Sequence, residues 1–370
     1  MNFDFTDDQK LLQHTVKDFL EEHAPLSVCR EVLESDAPYA QDLWKGAAEL
    51  GWLGTAIPEA YGGAGFGYLE LAVVAEEVGA ALAPIPFSSS VYLASEAILK
   101  AGSDEQKQRL LPKLAAGEAI GTLALAEKPG QNGVEGVEAR CEGGRITGTK
   151  VPVPDGDVAD FAVVAARGDA GVSLYLVTLG DAGVEREAIR SFDPSRSLAR
   201  LSLDGAPAEL LGTEGGGSEL AESVLDRAAV LLAFEQLGGA TRAFEMTRQF
   251  ALERYAFGRP IASFQAIKHR IADLWCEIEL ARSNCYYGAW ALSNEAPELG
   301  VAACLARIQA CKAFDLATVE MIQLYGGVGY TWEYDCHLFY RRAKLTSVAL
   351  GNPASWREKL VSRLEAQRAA

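Results

Sequence analysis

The stretch that decides the fold is ERYAFGRPIASFQAIKHRIADL, residues 253–274, with QLYGGVGY at 323–330 as its counterpart. Each string sits where a long run of helical periodicity breaks. Apolar residues recur at the 3.6-residue period from Ser218 to about Tyr255, from Phe264 to Asn294 and from Leu299 to Tyr325, and shorter helical stretches follow around Asp335 to Ser347 and Ala354 to Gln367. Such a set predicts a C-terminal four-helix bundle over 218–370. At the first break Arg254 precedes Phe257 by three residues, so a guanidinium and a ring project towards the same space. Arginine grips a pyrophosphate with two hydrogen bonds while phenylalanine packs a nucleobase. The plainer alternative is a surface ion pair beside a core ring. At the second break Gln323, Gly326 and Gly327 place an amide and two positions without side chains at a helix end, where a ligand can approach the backbone closely. Alone, that string is more often a C-cap and turn.

Working back towards the N-terminus, Thr6 to His23 reads as an amphipathic helix behind a capping Thr-Asp-Asp. Ala40 to Leu50, Leu69 to Gly79, Ser88 to Ala101 and Asp104 to Ala115 share the helical period, separated by turns such as Pro58 to Gly67. Residues 1–118 are therefore expected to form a helical domain. At Ile120 the pattern changes to short β-favouring runs, TLALAE, GRITGTKV, FAVVAAR, SLYLVTL and ARLSLDG, which predict a small antiparallel β-domain over 119–214. Gly215-Gly216-Gly217 is the expected linker. The fold class is α+β, mainly α.

A net charge of −17 argues against nucleic acid and anionic membranes as partners, because such a surface repels them. Phosphorylated ligands must then be held locally, by a few arginines and backbone amides. The opening MNFDFTDDQK lacks the features of a signal peptide and no apolar run approaches ~20 residues, so a cytoplasmic location is expected. The seven cysteines include no C-x-x-C pair, and they read as reduced residues rather than a metal or disulfide framework.

Four strings together, PEAYGGAGFGYLELAVVAEEVG (58–79), GSDEQKQRLLPKLAAGEAIGTLALAE (102–127) and the two quoted first, resemble the acyl-CoA dehydrogenase family over nearly the whole chain. The resemblance implies FAD as cofactor and an acyl-CoA as substrate. In that family the β-hydrogen leaves as hydride to the flavin while a carboxylate takes the α-proton. It also implies that Arg254, Phe257, Phe264 and Gln265 reach the FAD of a neighbouring subunit, and it favours Gln323, Gly326 and Gly327 as further cofactor contacts. Helices this long and apolar expose more than one chain can cover, so a dimer of dimers is expected. Electron-transfer flavoprotein is the implied redox partner.

The chain departs from the family where the chemistry is done. The stretches that usually seat the flavin ring, Thr-Glu-Pro and Trp-x-Thr/Ser, read AEKPGQNG (126–133) and KVPVPDG (150–156), so Ala126 replaces a hydroxyl, Pro152 the Trp and Pro154 the Thr or Ser. Proline has no N–H to substitute for the missing donors. The position of the usual catalytic Glu falls on Leu350, followed by a matching Gly351. Relatives with their Glu on the first bundle helix, just before an Arg, point to Asp226 as the alternative base and Arg227 as a substrate-side residue. An Asp beside an Arg near a helix start is otherwise a common solvated pair. His269 and His337 lack a positioned carboxylate and default to surface or core imidazoles. A chain that keeps the adenine-side residues but loses the ring seat and the Glu resembles the partner subunit of two-subunit dehydrogenases of bacterial steroid side-chain breakdown. Three readings stay open: that heteromeric subunit, a homotetrameric dehydrogenase using Asp226, and a flavin-free structural or regulatory paralogue.

Overall fold

The computed structural model describes residues 6–131 and 133–369. The helices of the first third are α1 (Asp7–His23), α2 (Leu26–Glu34), α3 (Gln41–Glu49), α4 (Tyr68–Ala80), α5 (Glu96–Ala101) and α6 (Asp104–Ala115). Two capping boxes start them. Thr6 Oγ1 accepts from Gln9 N at 3.2 Å while Gln9 Oε1 accepts from Thr6 N at 2.9 Å, and Ser103 and Gln106 repeat the exchange at 3.2 and 3.0 Å. The single helix expected over Ser88 to Ala101 is split: Ser88–Ser95 is wound as a π-helix before α5 begins. Its serines bond outside the helix, Ser89 to Pro86 O at 3.1 Å and to Asp155 at 2.5 Å, and such competition widens a turn.

Eight strands follow: β1 (Gly121–Ala124), β2 (Arg140–Glu142), β3 (Arg145–Pro154), β4 (Phe161–Gly168), β5 (Gly171–Thr178), β6 (Val184–Ile189), β7 (Leu198–Pro207) and β8 (Glu209–Leu211). They form one sheet in the order β6-β7-β3-β2-β4-β5-β8, with β1 on β4. Most pairs are antiparallel as expected, but β1 and β2 both run parallel to β4, Gly121 opposite Phe161 and Arg140 opposite Arg167. Strands β2, β6 and β8 have no counterpart in the sequence reading. VEREAI of β6 is mostly exposed at one edge and β8 has three residues at the other, so neither shows a buried alternation. The bundle helices are α7 (Gly217–Glu253), α8 (Gln265–Ser293), α9 (Leu299–Tyr325), α10 (Cys336–Val348) and α11 (Pro353–Ala369).

Packing groups the chain into two compact units. One takes the chain up to Glu31, Ala72–Ala83 and everything from Ala229 onward; the other takes Val32–Leu71 and Pro84–Ala228. In the first, α4 and α7 cross backbone to backbone. A Cβ on Gly79 would stand 1.8 Å from Glu235 O, and one on Gly238 1.8 Å from Glu76 O. Beneath the crossing, Arg307 is fully buried and donates to Gln236 Oε1, to Thr346 O and, at 2.9 Å, to Cys311 Sγ, while Arg342 reaches Leu82 O at 3.2 Å. In the second unit the glycine run is a packed turn. Gly215 N donates to Ser173 Oγ at 2.8 Å, and a Cβ on Gly217 would lie 2.7 Å from Ser173 Cα.

Candidate functional site

The candidate residues fall into two sets, and each is held within one unit. In the bundle unit α7 ends at Glu253 and the chain makes a two-stranded hairpin, β9 (Tyr255–Ala256) against β10 (Arg259–Pro260). Its turn residues Phe257 and Gly258 both have positive φ, 55° and 79°, as a two-residue type I′ hairpin requires. For a phenylalanine this left-handed conformation costs roughly 1–2 kcal/mol. Phe257 is also 95% exposed. A strained backbone that holds an apolar ring out in solvent points to a role outside the chain's own core. Arg254 sits at the hairpin base, its N–H on Phe250 O and its carbonyl accepting from Ile261 N, both at 2.8 Å. Its side chain is exposed and has neither ion pair nor hydrogen bond among the described residues. Phe264, half-buried, meets Phe257 edge-on at 6.2 Å, and Gln265 opens α8 with an exposed side chain.

The second string lies at the end of α9. Gln323, Gly326 and Gly327 are all exposed. Gly326 needs its glycine for a φ of 66°, but Gly327 has neither positive φ nor any atom within 4 Å of a built Cβ. Among the described residues nothing requires a glycine there, whereas close approach by a ligand or partner would. The two strings are joined through a stack: Phe250, one turn before Arg254, lies 4.0 Å from Tyr325, the neighbour of Gly326. Burial, then Cys336 and Tyr334, push the Tyr325 phenol up to about 12. A cavity of about 650 Å³ touches Met246, Phe250, Met321 and Tyr325. It lies on the other face of α9 from Gln323, two residues or ~200° away around the helix. His337 lies against the Trp332 ring at 4.1 Å, and burial holds its imidazole below its usual range. His269 is exposed.

The second set belongs to the sheet unit, on the first turns of α7. Arg227 is buried and bonds Glu96, also buried, while its guanidinium lies 4.7 Å over the Tyr68 ring. Tyr68 donates its hydroxyl to the same carboxylate at 2.9 Å. Burial and then Glu96 hold the Tyr68 phenol above its usual range. Burial works against the charge on Arg227, but Glu96 and Tyr68 outweigh it and raise its pKa. This guanidinium is committed inside the protein, where removing one partner of such a pair costs ~3–5 kcal/mol. Asp226, next to it, is 7% exposed. In the bundle unit Leu350 is half-buried and its carbonyl accepts from Trp356 Nε1 at 3.1 Å.

The two stretches aligned with the ring seat lie side by side. Val151 N donates to Ala126 O at 2.8 Å, and Thr122 Oγ1 donates to Pro154 O at 2.6 Å. None of the side chains at Ala126, Pro152 and Pro154 carries a donor, and the prolines carry no N–H. Between them stands a pair that the sequence reading missed. Lys150, fully buried, donates to Glu127 at 2.8 Å and to Leu125 O at 3.1 Å, and Glu127 also accepts the N–H groups of Glu138 and Ala139 at 2.7 and 2.9 Å. Burial opposes the charge on Glu127, yet Lys150 and these N–H groups hold its carboxyl below the usual range. A lone Lys among apolar strand residues was the only signal available.

In chain order helices precede and follow a small sheet, and within the bundle unit an arginine–aromatic hairpin is joined to a glycine turn by the Phe250–Tyr325 stack, features of an acyl-CoA dehydrogenase-type chain. The chain belongs to the acyl-CoA dehydrogenase family: the description "Acyl-CoA dehydrogenase, N-terminal domain" matches residues 6–118 and "Acyl-CoA dehydrogenase, C-terminal domain" residues 215–364. Acyl-CoA dehydrogenase IpdE2 of Mycobacterium tuberculosis is 34% identical over 98% of this chain and 97% of its own length. Among solved structures, the Tcur3481–Tcur3483 steroid ACAD superposes with a TM-score of 0.90 at 32% identity, covering 98% of this chain and 99% of that one. The ChsE4–ChsE5 complex from Mycobacterium tuberculosis gives 0.90 at 29% identity, covering 99% of both chains. Members of the family are FAD-dependent oxidoreductases. Among the described residues no helix is long and apolar enough to cross a membrane.

The residues present fit one half of FAD. The unpaired Arg254, the strained exposed Phe257 and the unexplained Gly327 suit a diphosphate, an adenine and a close backbone approach. At the positions aligned with the isoalloxazine seat, Ala126, Pro152 and Pro154 offer no side-chain donor and the two prolines no N–H.

Proposed function

We propose that this chain is the subunit without the catalytic base in a heteromeric FAD-dependent acyl-CoA dehydrogenase that acts on a bulky acyl-CoA. The observation that carries this reading is an asymmetry: the hairpin keeps Arg254 and an exposed, strained Phe257, while Ala126, Pro152 and Pro154 offer no side-chain donor and Leu350 cannot accept a proton. The names of the relatives support both the steroid-type acyl group and the two-protein assembly. Bound FAD supplies the acceptor for the hydride leaving the β-carbon. In this reading Arg254 and Phe257 hold the adenine side across the interface, with Phe264, Gln265, Gln323, Gly326 and Gly327 around them. A second acyl-CoA dehydrogenase-like subunit contributes the ring seat and the carboxylate that takes the α-proton. Electron-transfer flavoprotein then receives the electrons.

Asp226 supports the competing homotetrameric reading, because it is a buried carboxylate on the first bundle helix. General-base catalysis contributes ~10²- to 10⁴-fold, which makes the two readings separable. The assembly purified after co-expression with its partner is mixed anaerobically with an acyl-CoA, and flavin bleaching is followed for wild type and Asp226→Asn. The heteromeric reading expects at most a few-fold slowing. A loss of about a hundredfold or more would make this the catalytic subunit. Preparations without yellow absorbance, alone and with the partner, would instead favour a flavin-free paralogue.

A further inference from the structure

The hairpin that carries Arg254 carries a second guanidinium. Arg259 opens β10, paired across the ladder with Ala256, and its side chain is exposed. The guanidinium carbon lies 4.1 Å from the centroid of the Phe264 ring, and Phe264 is the ring that meets Phe257 edge-on. Like Arg254, Arg259 has no carboxylate partner among the described residues. The two guanidiniums flank one strained, solvent-facing ring, that of Phe257.

Stacking also decides what Arg259 has left to offer. A guanidinium lying on a ring uses its face, and its five N–H donors stay in the plane, free for another group. Its planar fork is thereby pre-oriented, so little rotamer freedom remains to be lost when it binds. One bidentate arginine satisfies one phosphate, and a dinucleotide diphosphate presents two.

We propose that Arg259 is a second positioning residue for the dinucleotide's diphosphate, oriented by Phe264 and acting from the returning arm of the hairpin opposite Arg254. This rests on the cofactor reading above. The test uses the co-expressed assembly and its deflavinated form. Arg259→Gln, Arg259→Lys and Arg254→Ala are compared by FAD-to-protein ratio after dialysis, and by affinity for FAD and for ADP alone at low and high salt. Arg259→Gln should weaken FAD and ADP by about tenfold each, through loss of a charge-assisted bond, and should flatten the salt dependence. Arg259→Lys, which keeps the charge but neither the plane nor the stack, should recover only part of the loss. FAD and ADP affinities within twofold of wild type for Arg259→Gln, with flavin lost from Arg254→Ala, would overturn the Arg259 assignment alone. Loss of FAD with unchanged ADP binding would overturn the diphosphate role. Full flavin retention by Arg254→Ala would bring down the cofactor reading itself.

Discussion

Phe257 and Glu77 are both placed where ordinary stability would not put them. The phenylalanine was legible as a candidate from its spacing to Arg254, but its left-handed backbone and exposure are tertiary facts, set by the tight turn between β9 and β10. Glu77 on α4 gave no sequence signal. Burial pushes its carboxyl up to about 7, against a hydrogen bond from Gln13 at 2.8 Å and with Glu76 adding repulsion. An acid with a raised folded pKa binds its proton more tightly folded than unfolded. Its contribution is therefore whole below the ordinary value of 4.5 and is lost as pH rises through about 7. Glu77→Gln should leave the melting temperature unchanged near pH 4 and raise it near pH 8. The expected gain is on the order of 1–2 kcal/mol once partial solvent screening is allowed for. A stability difference that does not vary with pH would refute this.

At the scale of elements, the sequence located the long helices to within a residue or two, because glycine- and proline-containing stretches such as 215–217, 258–260 and 326–329 interrupt the helical runs. It could not show how they cross. Gly79 and Gly238 look like weak points in helical runs, yet each lets the backbone of the other helix approach to contact. Gly79→Ala would force α4 and α7 apart, and overpacking of this kind costs ~1–3 kcal/mol and here at least the upper end. Thermal unfolding of Gly79→Ala should show that loss, while Gly327→Ala, with open space and an ordinary backbone, melts like wild type. An unchanged melting temperature for Gly79→Ala would mean that the helices do not meet as described. The π-wound Ser88–Ser95 was invisible for a similar reason, since its serines bond to residues far along the chain.

On the scale of the whole molecule, the bundle unit leaves large apolar side chains in solvent: Trp275 and Leu280 on α8, Val319 on α9 and Leu252 at the end of α7. Such a surface predicts self-association or a partner. Sedimentation at micromolar concentration should give a mass above one chain with or without the second subunit, and a monomer in both cases would contradict it. The succession of helix, sheet and helix, the net acidic charge and the candidacy of Arg254 and Phe257 could be read from sequence alone, because periodicity, net charge and short motifs are local properties of the chain. What only the tertiary structure decided is which charges are spent and which remain. Arg227, a substrate candidate by position, is committed to Glu96 beside Tyr68, and Lys150 to Glu127, whereas Arg254 and Arg259 have no ion-pair partner among the described residues. The physical reason is that a charge is neutralised by whatever folds against it, and those partners lie up to 131 residues away in the chain.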